Sequence, residues 1–176
     1  MNEATKGGTA QPRWVVMGVS GCGKSSVGIA LAQALGVRFV EGDQYHSAEN
    51  VAKMAAGTPL TDGDRVQWLA SLQAEIRASV EAGIGVVVSC SALKRRYRDL
   101  LRDGAPNLMF AHLVGSKDVI AERMATRTGH YMPLSLLDSQ MAALEPLEEN
   151  EAGVRLDICE PVPALVAAIL EAGASG

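Results

Sequence analysis

A chain of 176 residues is long enough for one domain with its own hydrophobic core, since globular domains average about 150 residues. With 48% hydrophobic and 20% charged residues, the composition is that of an ordinary globular protein and excludes disordered, collagenous and low-complexity classes. The formal net charge is −4 and no long basic run occurs, which argues against nucleic acid or an anionic membrane surface as a partner. We therefore expect a single domain, placed at residues 13–176.

Cysteine usage and the N-terminal segment indicate the cellular setting. The three cysteines, at positions 22, 90 and 159, are odd in number and lack zinc-ligand spacing, which is typical of a reduced intracellular protein. Segment 1–12 is polar and has no apolar signal region, so it is expected to be a disordered leader. No apolar run approaches the roughly 18 residues that a membrane span needs. These features predict a cytoplasmic location and no membrane partner.

Short apolar runs alternate with amphipathic segments along the chain. In order, the predicted elements are strand 14–17, helix 24–35, strand 38–41, helices 47–54 and 64–82, strand 84–89, helix 94–102, strand 109–114, helices 116–127 and 135–144, strand 155–159 and helix 163–171. Gly36 and Gly83 stand where helices commonly end, and Ser47 is an expected N-cap. Strand 84–89 is the most strand-like tract and the candidate for the centre of the sheet. The alternation predicts an α/β fold, a parallel sheet with helices on both faces.

A glycine-rich turn between the first strand and helix carries the strongest motif. The sequence GVSGCGKS at 18–25 matches the phosphate-loop pattern G-x-x-x-x-G-K-[ST] in the required strand–helix context. Its backbone N–H groups can surround phosphate oxygens, Lys24 can neutralise the β- and γ-phosphates, and Ser25 can hold Mg²⁺. Cys22 is expected to be a small filler in this loop. The predicted ATP-binding residues here are Gly18, Val19, Ser20, Gly21, Cys22, Gly23, Lys24, Ser25 and Ser26.

A phosphate loop by itself does not distinguish kinases from GTPases or other ATPases. The chain has no [NT]-K-x-D or D-x-x-G motif, which disfavours a GTPase, and strand 84–89 ends without the Asp of a Walker-B strand. Glu41 and Asp43, at the end of strand 38–41, offer carboxylates instead. A carboxylate at this edge of a sheet can accept a proton from an acceptor hydroxyl or orient it. The alternative for Asp43 is a cap of the following turn.

Further motifs follow in order between Met17 and about Glu145: MGVSGCGKSS, EGDQYH, NVAKMAAGTPLTDGDRVQWL, SCSALKRRYRDLLR and ERMATRTGHYM. In these stretches the chain resembles gluconate kinases of the small phosphate-loop type, which are related to shikimate and nucleoside monophosphate kinases. The resemblance implies a five-stranded parallel sheet flanked by helices, a substrate lobe at about 44–82 and a lid at about 123–137. It also implies transfer of phosphate from ATP, with Mg²⁺, to the 6-hydroxyl of D-gluconate, in a homodimer.

The resemblance assigns roles to individual side chains. Asp43 would meet the acceptor hydroxyl, and Glu41 would be a partner of Mg²⁺-bound water, although gluconate kinases often have Asp at that position. Arg123 and Arg127 lie four residues apart on one helix face and match lid arginines, the first over adenine and the second on the transferred phosphoryl group. Solvated helix residues are the alternative reading of this pair. The predicted catalytic residues are Lys24, Asp43 and Arg127.

The acceptor pocket is predicted from polar side chains around the same loops. Arg65 can bind the C1 carboxylate of gluconate through two parallel hydrogen bonds, with a surface ion pair as the alternative. Ser91 and Lys94 follow a predicted strand and open a helix, a place suited to hydroxyls and anions. His46 is either a contact for a polyol or a carboxylate, or a surface histidine that flanks a helix. His130 is expected at the lid hinge or the substrate rim.

Three other predictions concern structure and function class. At least one of Asp62 and Asp64 is expected to cap helix 64–82, and Cys90 is expected in the core. Trp68 belongs either to the wall of the site or to the core, and the core is favoured. Alternative functions are a kinase for another small acceptor, such as shikimate or a nucleoside monophosphate, and a regulatory nucleotide-binding module without turnover. The acceptor-side residues around Asp43 and the absence of switch motifs disfavour the regulatory module.

Overall fold

Strands and helices alternate in the computed structural model, which describes residues 9–126 and 133–176. The described elements are β1 (Arg13–Met17), α1 (Lys24–Leu35), β2 (Arg38–Glu41), a 3₁₀ turn (Gly42–Tyr45), α2 (Ala48–Ala55), α3 (Asp62–Glu81), β3 (Val86–Ser89), α4 (Arg95–Arg102), β4 (Met109–Val114), α5 (Lys117–Thr126), α6 (Ser135–Ala143), β5 (Gly153–Asp157) and α7 (Val162–Ala174). Each predicted strand and helix corresponds to one of these elements.

The five strands form one sheet in the order β2-β3-β1-β4-β5, and every neighbouring pair is parallel. This confirms the predicted α/β class with a five-stranded parallel sheet. The expectation that strand 84–89 is central needs a correction, because β1 occupies the middle and β3 lies beside it. Both strands are buried along their whole length. Apolar content alone therefore could not predict which of the two strands is central, since the crossover connections decide strand order.

Helices cover both faces of the sheet because successive strand residues point to opposite sides. Val16 belongs to a buried cluster that includes Leu31 of α1 and Ile169 of α7. Its neighbour Val15 belongs to a second buried cluster, which includes Leu72 of α3. The sheet is thus held between two apolar layers, a rigid base for the loops at its edge.

Local capping groups set several helix boundaries. Ser47 accepts a hydrogen bond from the backbone N–H of Asn50, as an N-cap does, and Gly36 ends α1 with φ of 66°. Helix α3 starts at Asp62, two positions before the predicted start at 64, because Thr61 is its N-cap and forms a capping box with Asp64. The capping prediction is therefore confirmed for Asp64.

The parallel arrangement brings the C-terminal ends of all the strands to one edge of the sheet. The segments that follow β1, β2 and β3 meet there, which places the phosphate loop beside Asp43 and Ser91. This edge is where open α/β sheets bind ligands. Within residues 9–126 and 133–176, no helix has the length and apolar character needed to cross a bilayer.

Candidate active site

The phosphate loop leaves β1 and wraps around the N-terminus of α1. Gly18, Gly21 and Gly23 have φ values of 144°, 82° and 98°, a region that favours glycine. A Cβ atom on Gly18 would lie 2.7 Å from Sγ of Cys22 and 2.8 Å from the carbonyl oxygen of Leu113, so only glycine fits. Cys22 is buried and fills the space under the loop, as expected of a small filler.

Lys24, the lysine of this loop and a predicted catalytic residue, is held inside the turn of the loop. The Lys24 ammonium donates to the carbonyl oxygen of Val19 at 3.0 Å. The N–H of Gly18 donates to the carbonyl oxygen of Ser91 at 3.2 Å, which ties the loop to the segment after β3. The loop therefore presents a cation and the N-terminus of α1 toward the same place, an arrangement suited to polyphosphate.

A carboxylate lies beside the loop serine. Oε2 of Glu41 accepts from the hydroxyl of Ser25 at 2.5 Å, and Oε1 accepts from the hydroxyl of Ser89 at 2.5 Å. Ser89 Oγ in turn accepts from the N–H of Gly42 at 3.1 Å. Hydroxyl and carboxylate oxygens are the donors that Mg²⁺ prefers, so Ser25 and Glu41 fit the ion that the motif implies. Sequence reasoning missed Ser89, which orients Glu41.

One cavity joins the phosphate loop to the predicted acceptor residues. Its lining includes Lys24, Asp43, His46, Arg65 and Ser91. The remaining lining residues are Ser20, Val51, Met54, Pro59, Leu60, Trp68, Leu136, Ser139 and Gln140. Candidate phosphate-binding, proton-accepting and carboxylate-binding groups therefore face a common space.

His46 and Trp68 form one wall of this cavity. Their rings stack with centroids 4.2 Å apart, and the indole N–H of Trp68 donates to the carbonyl oxygen of Gly42 at 2.8 Å. Trp68 is only 2% exposed, which confirms its place in the core. Burial lowers the pKa of His46 below its ordinary value, against the opposing effect of Asp43. Nδ1 of His46 is buried and has no hydrogen-bond partner among the described residues, so a ligand group could satisfy it.

Arg65 and Lys94 have different surroundings. The Arg65 guanidinium lines the cavity and donates to the hydroxyl oxygen of Tyr97 at 3.3 Å. Lys94, by contrast, forms a 3.1 Å ion pair with Asp62 and is not among the residues that line the cavity. The structure thus brings Arg65 together with Asp43 and His46, whereas Lys94 pairs with Asp62 outside the lining of this cavity.

Helix α6 supplies a polar contact that sequence reasoning missed. Oε1 of Gln140 accepts from the backbone N–H of Ser20 at 2.7 Å. Gln140 lies four residues after the buried Leu136 and therefore on the same helix face, which is the signal that could have found it. A polar side chain on the buried face of a helix needs a hydrogen-bond partner.

A second cavity lies on the other side of the phosphate loop. Arg123 lines it together with Gly23, Thr126 and Cys159. The Arg123 guanidinium donates to the carbonyl oxygen of Ile158 at 2.6 Å, which fixes the arginine beside the loop that follows β5. Two other predicted residues, Arg127 and His130, lie outside the described residues.

The remaining buried thiol belongs to the core. Cys90 is fully buried after β3, and burial raises its pKa to about 12. It therefore stays protonated and inert at neutral pH, as the core prediction requires.

Comparison with known proteins agrees with this geometry. A family model described as "AAA domain" matches residues 14–147. A probable gluconokinase of Rattus norvegicus is 42% identical, covering 90% of this chain and 95% of the relative. A gluconokinase of Gluconobacter oxydans is 48% identical, with 83% of each chain covered. The crystal structure of a gluconokinase from Sinorhizobium meliloti superposes with a TM-score of 0.85 at 48% identity, covering 94% of this chain and 93% of that one. On its motifs, its fold and these relatives, the chain belongs to the gluconokinase family of P-loop kinases.

Proposed function

We propose that this protein transfers the γ-phosphoryl group of ATP to the 6-hydroxyl of D-gluconate, giving 6-phosphogluconate and ADP. The observation that carries the proposal is the single cavity shared by Lys24, Asp43 and Arg65. A phosphate-binding cation, a carboxylate and a guanidinium at one site suit a donor phosphate, an acceptor hydroxyl and an acceptor carboxylate. The gluconokinase names of the relatives support this acceptor.

On the donor side, the phosphate loop and Lys24 bind the β- and γ-phosphates. Positive charge on the migrating phosphoryl group lowers the barrier because the transition state spreads negative charge over its equatorial oxygens. Arg123 is proposed over the adenine ring, and Arg127 as a second cation on the transferred group. The position of Arg123 in the cavity beside the phosphate loop supports its role. The role of Arg127, which lies outside the described residues, rests on the family resemblance.

Magnesium is proposed at Ser25, with Glu41 holding an ion-bound water molecule. The bound ion would neutralise charge on the β- and γ-phosphates. Glu41 is suited to the task because Ser25 and Ser89 orient both of its oxygens. Ser25 and Glu41 thereby define where the polyphosphate chain can bind.

On the acceptor side, Asp43 accepts the proton of the 6-hydroxyl as its oxygen attacks the γ-phosphorus. The bond from the γ-phosphorus to the bridging oxygen breaks, and that oxygen leaves with ADP. Arg65 binds the C1 carboxylate at the other end of the substrate. His46 and Ser91 bind hydroxyl groups between these ends. His46, with a buried Nδ1 and a lowered pKa that favours the neutral ring, suits hydroxyls better than a carboxylate. Lys94 remains a proposed contact of the acceptor, and His130 a proposed residue of the lid hinge or the substrate rim.

The domain organisation and assembly are also proposed. Residues 44–82 would form the substrate lobe and 123–137 the lid of one kinase domain, in a cytoplasmic homodimer. Light scattering of the purified protein would give its mass in solution and test the dimer. A monomer at assay concentrations would contradict that part of the proposal.

A coupled ADP-release assay tests the activity directly. D-gluconate, other aldonates, shikimate and AMP are offered at equal concentration with ATP and Mg²⁺. We expect turnover with gluconate to exceed that with shikimate and AMP by at least about a hundredfold, since an acceptor site built for polar contacts rejects analogues that lack them. Preferred turnover of shikimate or AMP would indicate a different acceptor. Absence of turnover with every acceptor would favour the regulatory module.

A further inference from the structure

Tyr97 contacts Arg65, the arginine that lines the cavity. It is the third residue of α4, and its side chain is only 4% exposed. The Arg65 guanidinium donates to its hydroxyl oxygen at 3.3 Å. The hydroxyl proton is in turn donated to Oδ1 of Asp62, at the start of α3. A directed chain of hydrogen bonds thus runs from Arg65 through Tyr97 to Asp62.

The direction of this chain follows from the chemistry of its members. A guanidinium only donates hydrogen bonds, and an ionised carboxylate only accepts them, so the phenol must accept from Arg65 and donate to Asp62. Asp62 is ionised, because hydrogen bonds from Tyr97, Arg96 and Lys94 hold its pKa well below the ordinary value. The tyrosine hydroxyl is therefore fixed in one orientation, with its oxygen toward Arg65.

Charge around Tyr97 is unbalanced in favour of cations. Arg65, Lys94 and Arg96 lie 5.7, 5.9 and 5.6 Å from the centre of its ring. Asp62 forms ion pairs with Lys94 and Arg96. Within the described part of the chain, Arg65 forms no ion pair. Its charge remains available to an anionic group in the cavity.

We propose that Tyr97, anchored by Asp62, is a positioning residue that aims the Arg65 guanidinium at the carboxylate of the acceptor. This inference rests on the proposed function, in which Arg65 binds that carboxylate. A flexible arginine loses rotamer freedom when it binds an anion. The hydrogen bond to Tyr97 already restricts Arg65 before the acceptor binds, so less freedom is lost on binding. Tyr97 would thereby act on acceptor affinity and leave the phosphoryl-transfer step unchanged.

The test compares Tyr97→Phe, which removes only the hydroxyl, with Tyr45→Phe as a matched control. The Tyr45 hydroxyl bonds to Glu75 instead, and Tyr45 does not line the cavity. Steady-state kinetics are measured with gluconate and with glucitol, which lacks the carboxylate. For Tyr97→Phe we expect a rise in KM for gluconate of about three- to tenfold, the usual worth of one hydrogen bond, with kcat and the KM for ATP within about twofold. The KM for glucitol and the behaviour of Tyr45→Phe should stay at wild-type values.

Arg65→Ala, measured in parallel, separates this inference from the proposed function. If Arg65→Ala erases the preference for gluconate over glucitol and Tyr97→Phe leaves gluconate KM unchanged, the positioning role is wrong and the proposed function stands. If Arg65→Ala does not reduce the preference, the carboxylate assignment fails, and the role of Tyr97 fails with it. Equal KM increases for gluconate and glucitol in Tyr97→Phe would indicate a merely structural role and overturn the inference.

A second variant covers the case in which Tyr97→Phe does not fold. Asp62→Ala removes the oxygen that accepts the hydrogen bond of the Tyr97 phenol, and with it the group that orients the phenol. Asp62 is exposed at the start of α3, so this change is expected to preserve the fold. A selective rise in gluconate KM supports the chain of contacts, and an unchanged KM contradicts it.

Discussion

The side-chain oxygen of Gln140 lies 2.7 Å from the backbone nitrogen of Ser20, and it accepts the hydrogen bond of that loop N–H. The contact joins α6 to the phosphate loop across 120 positions of sequence. Both residues line the cavity that contains Asp43 and Arg65. Gln140 therefore sets the distance between one wall of the acceptor cavity and the loop that holds the donor.

We expect Gln140→Leu to weaken both stability and activity. The buried N–H of Ser20 would lose its partner, which costs about 1–3 kcal/mol. For a chain of this length, that loss lowers Tm by about 2–4 °C per kcal/mol. Thermal melting and the kcat/KM for gluconate are the measurements. Gln140→Glu is the matched variant, because it keeps the acceptor oxygen; it should keep the Tm but raise the KM for ATP by charge repulsion. A Tm and kcat/KM of Gln140→Leu equal to wild type would contradict this role.

Lys24→Ala should leave the fold intact and remove most of the activity. Among the described residues, the ammonium donates its hydrogen bond to the loop carbonyl of Val19, so its loss breaks no core contact. Loss of the main cation on the migrating phosphoryl group should lower kcat by at least about a hundredfold. Lys117→Ala is the control, since Lys117 pairs with Asp138 and lines neither cavity. Near-wild-type turnover of Lys24→Ala would contradict the assignment of residues 18–25 as a phosphate-binding loop.

Asp43→Asn preserves the shape of the side chain while removing its charge and basicity. We expect kcat to fall by about a hundredfold or more, while the KM for ATP changes little. Steady-state kinetics with each substrate varied in turn separate these effects. An unchanged kcat combined with weaker ATP binding would instead indicate that Asp43 acts on the metal ion and not on the acceptor hydroxyl.

The buried His112 should make stability depend on pH. Burial, helped by Arg155 and Arg98, lowers its pKa to about 4 from an ordinary value of 6.5. Between these values the unfolded chain binds the proton that the folded chain rejects, so the free energy of unfolding falls as pH drops from about 6.5 to 4. Denaturant unfolding at several pH values measures this slope.

His112→Asn is the comparison for that slope. It removes the titrating ring, and the drop in stability across the same pH window should become shallower, whatever the variant's absolute stability. Glu151 titrates at lower pH: burial raises its pKa, but hydrogen bonds led by Arg98 outweigh this and bring it to about 2. An identical slope in wild type and variant would show that other groups cause the acid sensitivity.

Much of this protein could be predicted from local sequence. The phosphate loop, the glycine after α1 and the capping residue Ser47 act within a few positions of themselves, so their patterns predict where elements begin and end. The alternation of strands and helices then predicts a parallel sheet, and the sheet edge predicts that Asp43 lies near the loop.

Only the tertiary structure decided which distant groups meet. Ser89 bonds to Glu41 across 48 positions, and Gln140 bonds to Ser20 across 120. The order of the strands, with β1 in the middle, depends in the same way on crossovers that no single segment encodes. For Arg65, the sequence left a choice between a surface ion pair and a binding role. Which of the two applies depends on Tyr97, Asp62 and the cavity wall, and these come together only when α3 packs against α4. The sequence could not predict this, because a hydrogen bond between remote residues leaves no periodic pattern near either residue.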